Sequence, residues 1–355
     1  MAPESPTIGA PVSLWRNRLL RLTAAAVLVT ALLAGAFLAT VGGLNRGPYS
    51  AAGFVEQYLR GLAAGDVAGA LRMPGLAGTL PTAASGDAIV APSRALLRAD
   101  ADGAPLRWRI LRTDRGAHGV TRVEVRIRGA DGARRTMRFD VEPTDAALGM
   151  FARWRFATPP WSLLRIRVAG DPVVRVGAER VDVRLGRGGH AVTFETSGSF
   201  VTLTGTNPRV SLRTPLLRAR PVDAGLVPSG SRTTVSVTPT PTAAFERRVA
   251  TQLRGFLHRC AATTVLYPPG CPFGLALGNR LVGAPHWSIE RMPTVHLTAG
   301  ADAWVSTGTT GAARVTGRVR SLFDGSVSRL DRRIVFPVSL GVTIDGDGTL
   351  DITVG

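Results

Sequence analysis

One stretch limits what this chain can be before any other is considered. From Leu22 to Leu44 the sequence reads LTAAAVLVTALLAGAFLATVGGL, with no charged residue and only Thr23, Thr30 and Thr40 as polar members. In hydrocarbon every backbone N–H and C=O must find its partner inside the segment, so such a run is expected to be helical. At about 1.5 Å per residue it is long enough for a hydrocarbon layer of roughly 30 Å. Arg16, Arg18 and Arg21 precede it and only Arg46 follows it closely. The positive-inside rule then predicts a cytoplasmic tail over 1–21, a transmembrane helix over 22–44 and an exported remainder. A cleaved signal peptide is the rival reading, but its apolar region spans only about 7–15 residues and ends in a small-residue site. Here the run is longer, so a retained single-pass anchor in the cell membrane is expected. Ala31, Gly35, Ala39 and Gly43 place small residues on one stripe, the pattern expected of a homo-oligomer packed through the anchor.

The 355 residues suggest two or three domains beyond the anchor. All 43 basic residues are arginine, against 25 acids, giving a net charge of +18. That charge is spread along the chain and favours anionic surfaces: lipid headgroups, an envelope polymer or nucleic acid. Export makes headgroups or an anionic envelope polymer the expected partners, and no nucleic acid. Ordinary solvated charge is the alternative.

Past the anchor, Ser50 is placed to cap a helix with Phe54, Val55, Tyr58, Leu59 and Leu62 on one face. Gly65 ends it, and Asp66 caps a short second helix through Leu71. A further brief helix is expected around Ser93–Ala99. From Leu106 the period changes to two. Leu106, Trp108 and Ile110 alternate with arginines, as do Val123, Val125 and Ile127, and then Met137, Phe139 and Val141. Gly129-Ala130-Asp131-Gly132 is a hairpin turn signal. Strands are expected at Trp154–Phe156 and Leu164–Val168 in the same one-sided antiparallel sheet.

This order over 50–168, a helical start and then meandering strands, resembles the NTF2-like (cystatin-like) fold. The resemblance implies a helix wrapped by a curved sheet. From 170 to 239 short strand-like runs at Val173–Val176, Arg180–Leu185, Ala191–Phe194, Phe200–Leu203, Val210–Leu212 and Thr233–Val237 predict a small all-β module, a sandwich of reduced Ig-like size. Thr-Pro-Thr-Pro-Thr at 238–242 is a stiff junction. A second helix follows, capped by Thr240 or Thr242, with Phe245, Val249, Leu253, Phe256, Leu257 and Cys260 on one face. Strands are then expected at Trp287–Arg291, Val295–Thr298, Trp304–Thr307, Arg314–Leu322, Arg333–Ile344 and Leu350–Val354. The expected class is α+β: a transmembrane helix, an NTF2-like helix-plus-sheet domain (46–169), an all-β module (170–239) and a second helix-plus-sheet domain (240–355).

Little in the sequence points to catalysis. Cys260 and Cys271 are the two cysteines, and their spacing in an exported chain predicts a structural disulfide. The region from Cys260 to Asp324, with its CPFG and SLFDG stretches, resembles the C-terminal part of actinobacterial single-pass membrane proteins of no assigned function. That implies location and architecture only. His118, His190, His258, His286 and His296 make no metal pair, and DGDGTLD at 345–351 departs from the EF-hand pattern, so no metal and no cofactor are expected. No nucleophile elbow, phosphate loop or dinucleotide fingerprint occurs.

What remains is a row of outward arginines, Arg107, Arg109, Arg122, Arg126, Arg128, Arg138, Arg165 and Arg167, expected to line one sheet face and to bind a polyanion. The chain therefore reads as a membrane-anchored extracytoplasmic interaction protein without catalytic activity. The alternatives are a scaffold component of a conjugation or export apparatus, which the anchored tandem layout resembles (TcpC-like), and an envelope enzyme.

Overall fold

A computed structural model describes residues 12–80, 93–98, 107–129, 132–147, 151–186, 194–345 and 348–355. It shows a mixed α+β chain whose sheets are mostly antiparallel. Helix α1 spans Val12–Arg46, longer than the apolar run, and Arg21–Leu44 within it is long and apolar enough to cross a membrane. From 21 to 40 every side chain is exposed, the Ala31, Gly35 and Ala39 stripe included. Two of its hydroxyls are satisfied internally: Thr30 Oγ1 donates to Ala26 O and Thr40 Oγ1 to Ala36 O, both at 2.8 Å. This is how a polar side chain tolerates hydrocarbon.

A tight turn leads from α1 into α2 (Ala51–Ala63). Ser50 caps it by accepting from Gly53 N–H, and it buries Phe54, Val55, Tyr58, Leu59 and Leu62. Gly53 is required there, because a Cβ would come within 2.7 Å of Pro48 O. The turn is clasped from outside by Trp154, whose Nε1 donates to Tyr49 O at 2.8 Å. Helix α3 (Val67–Leu71), capped by Asp66, follows. These helices pack on a four-stranded meander: β1 (Arg107–Arg115), β2 (Thr121–Arg128), β3 (Arg134–Ala147) and β4 (Phe151–Phe156), in that order. The core between them centres on Tyr58. Its ring meets Phe156 and Phe139 edge-on, and its hydroxyl donates to Thr204 O at 3.0 Å.

The strand expected at Leu164–Val168 leaves this sheet. As β5 (Trp161–Ala169) it pairs antiparallel with β8 and parallel with β11 in a separate three-stranded sheet. There its Leu164, Ile166 and Val168 enter the core of the central region. There β6 (Val173–Val176), β7 (Glu179–Asp182), β8 (Glu195–Leu203), β9 (Arg209–Arg213), β10 (Leu217–Asp223), β11 (Arg232–Val237) and β12 (Thr240–Pro241) form the rest of that sheet and a five-stranded one ordered β12-β10-β9-β6-β7. Residues 183–185, the end of an expected strand, belong instead to a 3-10 turn over Val183–Gly186. The expected strand at 191–194 falls mostly outside the described residues. Over 93–98, where a helix was expected, the chain lies extended and turned against β8: Ser93 N–H donates to Ser199 O and Ser93 O accepts from Val201 N–H, seating the fully buried Leu96.

Thr242 caps α4 (Ala243–Ala261), whose Phe245, Val249, Leu253, Leu257 and Cys260 are buried while Phe256 is half-buried. The helix packs on β13 (Arg280–Arg291), β15 (Trp304–Arg320), β16 (Val327–Ile344) and β17 (Leu350–Val354), with the short β14 (Thr298–Ala299) beside β15. Two strands expected within 304–322 are one long strand ending at Arg320, and within it Gly311 lets Phe336 of β16 pack onto the backbone where a Cβ would intrude. Cys260 and Cys271 form a disulfide with Cα atoms 5.9 Å apart, and Trp287 Nε1 holds the bridged loop through Val265 O. Trp304, at the start of β15, packs against Phe194 and Phe245 and over Gly170, so this last unit and the central sheets share one core.

Candidate anion-binding site

The outer face of the first sheet is built by alternation. Val123, Val125, Ile127, Met137, Phe139 and Val141 point to the helices and are almost fully buried, which sends their neighbours outward. Cross-strand register then arranges the outward residues in rows. Arg107, Arg128 and Arg134 stand side by side, and the next row is Arg109, Arg126 and Thr136. A bulge between Ile110 and Arg112 sets Leu111 aside and brings Arg112 opposite Glu124, with Arg138 on the other flank. Asp114, Arg122 and Asp140 form the fourth row. Bulges re-aim side chains in this way.

The two halves of this face differ in their electrostatics. In rows three and four the charges alternate and pair. Glu124 accepts from Arg112 Nε at 2.9 Å and from Arg138 Nε at 3.0 Å. Arg122 holds Asp140 at 2.8 Å, and beyond them Arg155 holds Glu142 at 2.7 Å. Hydrogen bonds from Arg112 and then Arg138 keep the Glu124 carboxyl below the usual carboxylate range. The charged residues of rows three and four line a shallow depression, but each of its carboxylates is matched by arginine. Rows one and two contain five arginines and no acid among the described residues, and none of the five has an ion pair there.

No family model, curated protein or solved structure matches this chain. The site therefore rests on its own geometry. Of the eight arginines singled out by sequence, Arg107, Arg109, Arg126 and Arg128 come together with no ion pair among the described residues. Arg122 and Arg138 share the face but are neutralised by Asp140 and Glu124. Arg165 and Arg167 lie on β5, in another sheet, and Arg165 reaches Ser197 Oγ at 3.3 Å. Alternation placed them outward, but only the sheet order could separate them from the rest. Arg134 was missed; the signal available was the Gly129–Gly132 hairpin, which puts 134 opposite 128. Among the described residues no group of three or more His, Cys, Asp or Glu side chains is placed to hold a metal ion.

Proposed function

We propose that this chain is a single-pass protein of the cell membrane, N-terminus in the cytoplasm, whose extracytoplasmic part is a non-catalytic binding module for an anionic envelope polymer. The carrying observation is the doublet of like-charged rows Arg107–Arg128–Arg134 and Arg109–Arg126 on β1–β3. Like charges directly opposite one another destabilise a sheet. The same strands avoid that cost two rows away by alternating sign, so the unpaired rows call for a ligand that supplies the missing charge. Guanidinium forks suit phosphate and carboxylate oxygens.

The membrane reading is supported by α1. Large side chains such as Leu22, Leu32 and Leu38, each exposed by more than 60%, would leave an apolar cylinder in water. The disulfide fits an oxidising compartment outside the cytoplasm. The α2–β4 unit supports the NTF2-like likeness at the level of element order. The arginine rows sit far from the anchor along the sheet. Trp154, which clasps the anchor's exit turn, pairs with Pro143 of β3, while Arg134 starts that strand. Nine residues at about 3.3 Å each separate them by about 30 Å, which favours a polymer over headgroups at the foot of the anchor.

The test is the full chain in zwitterionic nanodiscs titrated with long-chain polyphosphate, polyglutamate and phosphatidylglycerol vesicles at rising salt. Binding to a soluble polyanion that weakens steeply with salt is expected. Absence of binding at low salt would remove the reading.

A further inference from the structure

The hairpin joining β15 to β16 ends in Ser321-Leu322-Phe323-Asp324-Gly325-Ser326, a stretch that the arginine site does not use. Phe323 is fully exposed and Leu322 is 71% exposed, with Val327 beside them at 41%. Scattered single apolar residues on a surface need no explanation. Two adjacent ones at the tip of the longest hairpin do, because such turns ordinarily carry polar residues. The turn also holds them out rigidly. Ser321 N–H donates to Ser326 O and Gly325 N–H to Ser321 O, at 2.8 and 3.1 Å. Ser321 Oγ accepts from Phe323 N–H, and Asn279 Oδ1 accepts from Leu322 N–H. Gly325, at φ +74°, takes the left-handed position that closes the turn. Asp324, the one acid at the tip, is exposed, and it accepts from both the N–H and the hydroxyl of Ser326.

Behind the tip, like charges again face one another. Arg280 pairs across strands with Arg320, and Arg318 with Arg329, all exposed. Among the described residues Arg280, Arg318 and Arg320 have no ion pair, and Arg329 has Asp331 at 3.7 Å. Further down the same strands the charges alternate, with Arg314 bonded to both Asp331 and Glu290 and Arg333 to Glu290. An apolar point ringed by unpaired arginines is the pattern of a segment that enters the headgroup zone of an anionic bilayer.

We propose that this tip docks on an anionic lipid surface, Leu322 and Phe323 entering the acyl boundary while Arg280, Arg318 and Arg320 meet lipid phosphates. It rests on the reading of the chain as membrane-anchored, and it adds a second membrane contact remote in sequence from α1. Each arginine near an anionic surface strengthens association about fivefold.

Both native cysteines are in the disulfide, so Phe323→Cys creates a single thiol for an environment-sensitive dye. The labelled full chain is reconstituted in phosphatidylcholine vesicles with and without phosphatidylglycerol and floated after an alkaline wash. In anionic vesicles the dye emission should shift to the blue and be quenched by spin-labelled lipid. The Arg280/Arg318/Arg320→Gln variant should lose at least tenfold in that quenching, and the same dye at Ser288→Cys should remain wet. A dye that stays in water while the chain floats overturns the tip contact and leaves the anchor standing. A blue shift without quenching by lipid places the tip against another protein and overturns it as well. A chain that does not float removes the anchor and this proposal together.

Discussion

The unpaired arginine rows imply that one substitution should improve the fold. Arg126 faces Arg109 across β1–β2, with Arg107 and Arg134 one step away diagonally on one side and Arg112 and Arg138, both bonded to Glu124, on the other. In such a sheet direct neighbours lie about 5 Å apart and diagonal ones about 7–8 Å. Two unit charges at 7 Å in water repel by about 0.6 kcal/mol. With a Debye length of about 8 Å in physiological salt this falls to about 0.25 kcal/mol per diagonal pair. The direct neighbour and the two uncompensated diagonal ones then sum to about 1 kcal/mol, and flexible side chains halve that. Arg126→Gln should therefore stabilise the first unit by about 0.5 kcal/mol at physiological ionic strength. At 1 M salt the Debye length is about 3 Å and the gain should vanish. Arg122→Gln, four residues along the same strand, should do the opposite, because Arg122 bonds Asp140 and stands opposite Asp114. The assay is urea unfolding of the full chain followed by tryptophan emission at low and high salt. A destabilised Arg126→Gln, or a gain indifferent to salt, would refute the claim that these arginines are uncompensated.

Three other outcomes follow from the structure. Cys260→Ser and Cys271→Ser should destabilise the last unit equally, by about 2–3 kcal/mol, with the double variant no worse; urea midpoints of the three check this. Tyr58→Phe leaves Thr204 O and Pro160 O without the hydroxyl they share in a buried setting, so a loss of about 1–2 kcal/mol is expected in the same assay. Glu124 and Asp331 are held below their usual range by arginine hydrogen bonds, Asp331 chiefly by Arg314. Such depressed carboxylates contribute stability above their unfolded pKa, about 4, and lose it as pH falls through the folded values. Stability measured from pH 6 downward should decline in that window, and Glu124→Gln should flatten the decline.

Sequence carried the local structure well and the long-range arrangement poorly. Caps at Ser50, Asp66 and Thr242, the burial faces of α2 and α4, the Gly129–Gly132 hairpin and the Cys260–Cys271 bridge all depend on neighbours within about twelve residues. The departure of β5 to pair with β11, some seventy residues on, leaves no trace in its alternation, which suits either sheet. Strand β10 was missed because Arg218, Arg220 and Pro221 make it read as loop; it sits between β9 and the two-residue β12, with several of its side chains in solvent. The arginine site was half legible for the same reason. Alternation told which arginines face out, but the acids that neutralise Arg112, Arg122 and Arg138 come from register, and the Ile110/Arg112 bulge that sets it is invisible in composition.

The most direct measurement compares two variants with the same loss of charge. In one, Arg107, Arg109, Arg126 and Arg128 become Gln. In the other the same change is made at four exposed, scattered arginines, Arg72, Arg175, Arg220 and Arg247. Polyphosphate affinity of each full-length protein is measured in zwitterionic nanodiscs across a salt series. If the rows are the site, the first variant loses at least tenfold in affinity and most of its salt slope, while the second stays close to the parent. Equal losses in both would mean that net charge alone attracts the polymer, and the claim of a built anion site on β1–β3 would be contradicted.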